Sequence, residues 1–217
     1  MRSTLFGLAA ALLFTLPALA QNGEPEAVNP APPQPVAVTP APSNPPMTGP
    51  KLLISTAMGD ITVQMDSVRA PKSVANILGY VKSKHYDGTI VYRVATGFVI
   101  QMGSWEAKGK GRGVRPAPVP LEAANGLSNL RGTVALAREE APDTAKAEFF
   151  INLVDNVRLD HNASDPGNNT GYAVFGQVIS GMNVVDAIGA VPVGDNGPMP
   201  GQAPVTPILI KRIAVVK

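Results

Sequence analysis

The chain has 217 residues, with 18 Lys and Arg against 16 Asp and Glu, a formal charge of +2. That balance is too close to neutral to give the basic footprint of a nucleic-acid-binding protein, so no nucleic-acid partner is expected. There is no cysteine, which excludes a disulfide framework, a thiol nucleophile and a cysteine-ligated metal.

At the amino terminus Arg2 precedes a predominantly apolar run from Leu5 to Ala20, closed by Ala18-Leu19-Ala20. A positive charge, a short apolar stretch and a small-x-small ending predict a cleaved signal peptide over 1–20. No second long apolar run follows, so no integral membrane span is expected in the mature chain. Residues 21–50 are one-third proline. Proline fixes φ and removes amide donors, so this segment is expected to be a disordered tether.

The folded unit is expected over 51–217. "KLLIST" and "ITVQM" flank a Gly-Asp turn and predict a hairpin. Pro71, followed by Val74, Ile77, Leu78 and Val81 at helical spacing, predicts an amphipathic helix. "TIVYRV" and "FVIQMG" form the next strand pair, followed by a long Gly- and Pro-rich loop. The runs "GTVALA", "EFFINLV" and "YAVFGQV" predict three short strands, "GMNVVDAIGAV" a short helix, and "TPILIKRIAVVK" a last strand. Many short strands with two helices predict a closed antiparallel barrel with helical caps, not an alternating parallel sheet.

Two strands carry polar residues where a core wall would be apolar. If Ala95-Thr96-Gly97 is a three-residue turn, Val94 faces Phe98 and Arg93 faces Val99. Alternation then places Arg93, Val99 and Gln101 on one face, and Tyr92, Val94, Phe98 and Ile100 on the other. The polar set fits either an ordinary solvent-facing sheet surface or a shallow site with an apolar floor, one cation and one amide. In "AEFFINLV", Glu148, Phe150 and Asn152 share one face and Phe149 and Ile151 the other, so one phenylalanine is core and the other has a second use.

"YRVATGFVIQMG", "LRGTVALAR", "EFFINLVDNVRLD" and "GYAVFGQVISGMNVVDAI" occur in this order. Together they resemble the cyclophilin family of peptidyl-prolyl cis-trans isomerases in its bacterial periplasmic form. The resemblance implies a mainly β fold, a closed eight-stranded antiparallel barrel capped by two α-helices, acting on proline-containing polypeptides. It implies Arg93 as the catalytic residue. It implies a substrate site of Phe98, Val99, Gln101, Ala137, Glu148, Phe150, Leu159 and Tyr172, with Phe98 brought round to Arg93 by a bulge or twist at the turn. Glu148 stands where glutamine is usual in the family, and is expected to pair with Arg93 or to compete with substrate for it. Tyr92 replaces a histidine, and Arg158 stands where many members have an aromatic residue, which puts cyclosporin binding in doubt. A monomer located in the periplasm is the expected state.

Rotation about a peptide bond breaks no covalent bond, so the implied reaction needs no nucleophile, metal, general base or cofactor. His85 and His161 have no sequence context that makes a hydrolase triad. "DHNASD" lacks the glycine and terminal glutamate of an EF-hand loop. The rival reading is a non-catalytic module of the same fold that holds proline-containing segments as a chaperone or adaptor.

Overall fold

The computed structural model describes residues 42–114, 117–164 and 170–217. The expected signal segment and most of the tether lie outside the described residues. The first hairpin joins β1 (Lys51–Thr56) to β2 (Gly59–Met65). Thr56 closes it, its hydroxyl donating to the Gly59 carbonyl at 2.8 Å and accepting the Met58 amide at 3.0 Å. Helix α1 (Pro71–Lys82) starts on its proline, where a missing N–H costs nothing. Glu122 from the long loop caps it, accepting the Lys72 and Ser73 amides at 3.0 and 2.8 Å. The expected stripe is rotated slightly. Val74 and Ile77 are buried as predicted, Tyr80 joins them, and Leu78 and Val81 pack at the margin.

The remaining strands are β3 (Thr89–Ala95), β4 (Val99–Glu106), β5 (Thr133–Leu136), β6 (Phe149–Asn152) and β7 (Val174–Ser180). Helix α2 (Met182–Gly189) follows, then a two-residue pair, β8 (Val193–Gly194) and β9 (Ala203–Pro204), and finally β10 (Ile208–Val216). Eight strands close in the order β1-β10-β3-β4-β6-β5-β7-β2, while β8 and β9 form a separate two-stranded sheet. Every pairing in the barrel is antiparallel. Closure removes the free edges that strands this apolar would otherwise expose.

The interior cluster draws on every strand of the barrel and both helices. Phe149 lies at its centre, edge-on to Tyr86 at 5.6 Å and to Phe175 at 6.3 Å. A second, smaller cluster of Val99, Leu127, Ala135, Phe150 and Val174 lies on the outer side of the same sheet. The two phenylalanines thus serve opposite faces, as alternation along β6 requires. Asn152 is fully buried on the outer face and ties Thr133 (2.8 Å) to Asn156 (2.8 Å).

The folded unit begins before Lys51. The carbonyls of Pro46, Thr48, Gly49 and Pro50 accept from Arg69, Ser67, Gln64 and Met65 at 3.3, 2.9, 2.6 and 3.0 Å. Proline richness was grounds for expecting no regular pairing here. It removes amide donors but leaves every carbonyl free to accept, and four of this segment's carbonyls do so.

Candidate active site

The β3–β4 hairpin builds one lip of a surface pocket. Its register differs from the simple three-residue turn: Ala95 pairs with Val99, Val94 with Ile100 and Arg93 with Gln101. Phe98 therefore belongs to the turn, outside the strand alternation, and its ring joins the face that carries Arg93. The bulge lies upstream, between Val91 and Arg93. It puts Val91 into the interior cluster opposite Met102 and leaves Tyr92 out of that cluster, with its ring 6.0 Å from Trp105. The face expected for Tyr92 was thus wrong, because one extra residue in a strand reverses the alternation beyond it.

The pocket encloses about 170 Å³. Phe150 and Val99, 4% and 2% exposed, form its floor. Phe98, Leu159 and Tyr172 form its walls, and Arg93, Gln101 and Ala137 its rim. Of the residues named from sequence, all but Glu148 line this pocket. The walls are braced. Phe150 meets Tyr172 edge-on at 5.5 Å, and the Tyr172 amide donates to the Leu159 carbonyl at 2.9 Å. Asn129 Nδ2 lies 3.2 Å from the Leu159 carbonyl and 3.3 Å from that of Tyr172. Two guanidinium groups cover the outer rings, Arg158 over Phe98 and Arg138 over Tyr172, each 4.7 Å from the ring centre. Stacking of this kind keeps a cation at the rim while shielding an apolar ring from water.

Arg93 is half-buried and held by two amide oxygens. Its Nε donates to Gln202 Oε1 at 2.6 Å and its Nη1 to Gln101 Oε1 at 3.0 Å. Among the described residues, Nη2 has no hydrogen-bond partner. The Gln202 main chain is fixed in turn, its carbonyl accepting the Val94 amide at 2.7 Å. Sequence reasoning missed Gln202, as it missed Met199 and Arg138, which also line the pocket. Gln202 and Met199 lie between β8 and β9 in a Pro- and Gly-punctuated stretch with no periodicity. Only the fold brings them to β3.

Glu148 does not pair with Arg93. It lines an adjoining pocket of about 310 Å³, which shares Gln101, Ala137 and Arg138 with the first. Burial pushes its carboxyl up to about 7, although Ser104 and Tyr92 favour the charged form. Its Oε2 is buried without a partner. The Tyr92 hydroxyl is pushed well above its usual range, first by burial and then by Glu148. The effect runs one way: the Tyr92 hydroxyl eases the Glu148 carboxylate, while that carboxylate makes a Tyr92 phenolate costlier.

A closed antiparallel barrel with two helices and an apolar surface pocket is the architecture of the cyclophilins. A cyclophilin-type isomerase of Cryptosporidium parvum superposes with a TM-score of 0.64 at 24% identity, covering 77% of this chain and 98% of that one. The same protein solved in the presence of the dipeptide Ala-Pro gives 0.63 at 24% identity, covering 77% and 99%. The family model "Cyclophilin type peptidyl-prolyl cis-trans isomerase/CLD" matches residues 51–215. Peptidyl-prolyl cis-trans isomerase A of Dickeya dadantii is 42% identical over 170 residues, 78% of this chain and 86% of that protein. Peptidyl-prolyl cis-trans isomerase B of Escherichia coli is 41% identical over 160 residues, 74% and 96% respectively. The chain belongs to the cyclophilin-type peptidyl-prolyl cis-trans isomerases.

Proposed function

We propose that the protein accelerates rotation about X-Pro bonds in exported polypeptides, with Arg93 stabilising the twisted amide. The family supports the reaction class, and the charged, apolar amino-terminal run supports export to the periplasm. The observation that carries the site assignment is the guanidinium held by Gln101 and Gln202 at the rim of an apolar pocket, with Nη2 left over.

Amide resonance sets a barrier of about 18–20 kcal/mol. Before proline, the two isomers differ by only about 0.5–1 kcal/mol, yet they exchange over tens of seconds or longer. Catalysis needs a site that binds the half-rotated amide better than either planar form. In that state the prolyl nitrogen regains its lone pair and accepts a hydrogen bond. Arginine supplies a donor that stays charged at every working pH. The Phe98, Val99, Phe150 and Leu159 surfaces hold the ring, Gln101 and Ala137 hold neighbouring backbone, and the rest of the chain turns. Five decades of acceleration ask for roughly 7 kcal/mol. A charged hydrogen bond contributes about 1.5–3 kcal/mol, so the preorganised field and fixed geometry must provide the remainder.

The test is exchange spectroscopy on an Ala-Pro peptide with wild type and Arg93→Ala. Turnover by wild type that falls in the variant, with affinity retained, supports the enzyme. A wild type that binds the peptide without speeding its exchange supports the non-catalytic module.

A further inference from the structure

Residues 42–50 precede the segment matched by the family model, yet they are tied to the floor and wall of the proline pocket. Asn44, Met47 and Pro50 are half-buried and the residues between them exposed. This spacing of three is the repeat of a polyproline II helix, which turns one edge toward a surface. Each of the three inward positions has its own seat. Asn44 makes a reciprocal pair with the Ser128 main chain, its Nδ2 donating to the carbonyl and its Oδ1 accepting the amide, both at 2.8 Å. Met47 packs on the small cluster that contains Val99 and Phe150. The Pro50 carbonyl takes the Met65 amide at 3.0 Å. Gly49 lies so close to β2 that a Cβ there would stand 2.7 Å from Ser67 Oγ and 2.9 Å from the Met65 carbonyl.

Ser128 leads onward to the wall. Its hydroxyl donates to Asp160 Oδ2. Asp160 Oδ1 accepts the Asn129 amide at 2.6 Å, and Asn129 Nδ2 reaches the carbonyls of Leu159 and Tyr172. Asn44 is therefore two hydrogen-bonded residues, Ser128 and Asp160, away from Leu159. Met47 packs against the cluster that supplies the floor.

We propose that residues 42–50 form a strap that positions the Phe150 floor and the Leu159–Tyr172 wall, so that a segment outside the family domain sets the affinity for proline-containing peptides. Arg93 and Gln202, the cation and the acceptor of its shorter bond, lie on other elements, so the strap acts on ring binding and leaves rotation of the bound amide alone. The proposal rests on reading this pocket as the proline site.

The experiment uses the full-length chain and a blocked Ala-Ala-Pro-Phe peptide. NMR titration reads Kd, and exchange at saturation reads the rotation rate. Asn44→Ala with Met47→Ser is expected to raise Kd about three- to tenfold while the saturated rate stays within about twofold. Met47→Leu, which keeps the apolar seat, is expected to stay near the wild-type Kd. Leu159→Ala reports on the pocket itself. If it weakens binding while the double variant binds like wild type, the strap proposal fails and the pocket reading stands. If Leu159→Ala leaves Kd unchanged, the pocket reading fails and the strap proposal with it. A saturated rate that falls as far as the affinity would also overturn the proposal, because the strap would then act on the rotating amide.

Discussion

Gln202→Ala is the most informative perturbation outside the pocket's apolar surface. An arginine side chain swings through several rotamers unless something holds it, and among the described residues two side-chain oxygens hold Arg93, Gln202 at 2.6 Å and Gln101 at 3.0 Å. The substitution removes the shorter bond. The loop itself stays in place, because the Gln202 carbonyl keeps the Val94 amide at 2.7 Å. A hydrogen bond to a charged group contributes about 1.5–3 kcal/mol. At the low end of that range, to allow for water replacing the lost oxygen, the saturated isomerisation rate should fall roughly tenfold. Peptide affinity should change by less than about twofold, since the ring pocket is untouched. A protease-coupled assay gives the overall rate, and exchange spectroscopy at saturation separates turnover from binding. An unchanged saturated rate, or a loss carried wholly by affinity, would refute the idea that Gln202 preorganises the guanidinium.

Other substitutions test the surroundings. Burial raises the Glu148 carboxyl to about 7, so the fold holds it protonated below that pH and must hold a buried carboxylate above it. Stability from this group is full below the ordinary carboxylate range and is lost as pH rises through about 7, by at most about 3 kcal/mol. Glu148→Gln should therefore raise Tm at about pH 8 and change it little near pH 4; an equal Tm difference at both pH values would contradict the assignment. Asn152→Ala should destabilise by about 2–4 kcal/mol, because it strips a partner from both buried Thr133 and Asn156; denaturant unfolding with a cost under about 0.5 kcal/mol would show that the network relaxes. Gly103→Val should be strongly destabilising, since φ is +154° and a Cβ would stand 2.7 Å from the Glu148 Cα; normal thermal unfolding of that variant would contradict the packing described around Glu148.

The barrel was legible because its strands and helices carry two different periods. Alternation along β6 was enough to put Phe149 and Phe150 on opposite faces, the resemblance gave Phe150 to the pocket, and the structure sends Phe149 inward and Phe150 outward. The stretch from Val91 to Val99 was harder. A bulge at Tyr92 and a turn that absorbs Phe98 leave no trace in residue type, so faces read by alternation alone came out wrong for Tyr92 and Phe98. Family resemblance brought Phe98 to the right pocket where periodicity could not. Gln202 and Met199 were invisible for a different reason. They lie about one hundred residues from Arg93 in a connection without a pattern, and closure of the barrel alone brings them to it. The segment ahead of Lys51 was misjudged on composition, which counts missing donors and overlooks the acceptors that remain.

The central claim is that a positioned guanidinium lowers the barrier to rotation. Its most direct test is the saturated exchange rate of an Ala-Pro peptide on Arg93→Ala. The account predicts a fall of at least about tenfold with Kd within about twofold of wild type, the loss expected of a bond made only in the transition state. A variant that turns the bound amide as fast as wild type would contradict it.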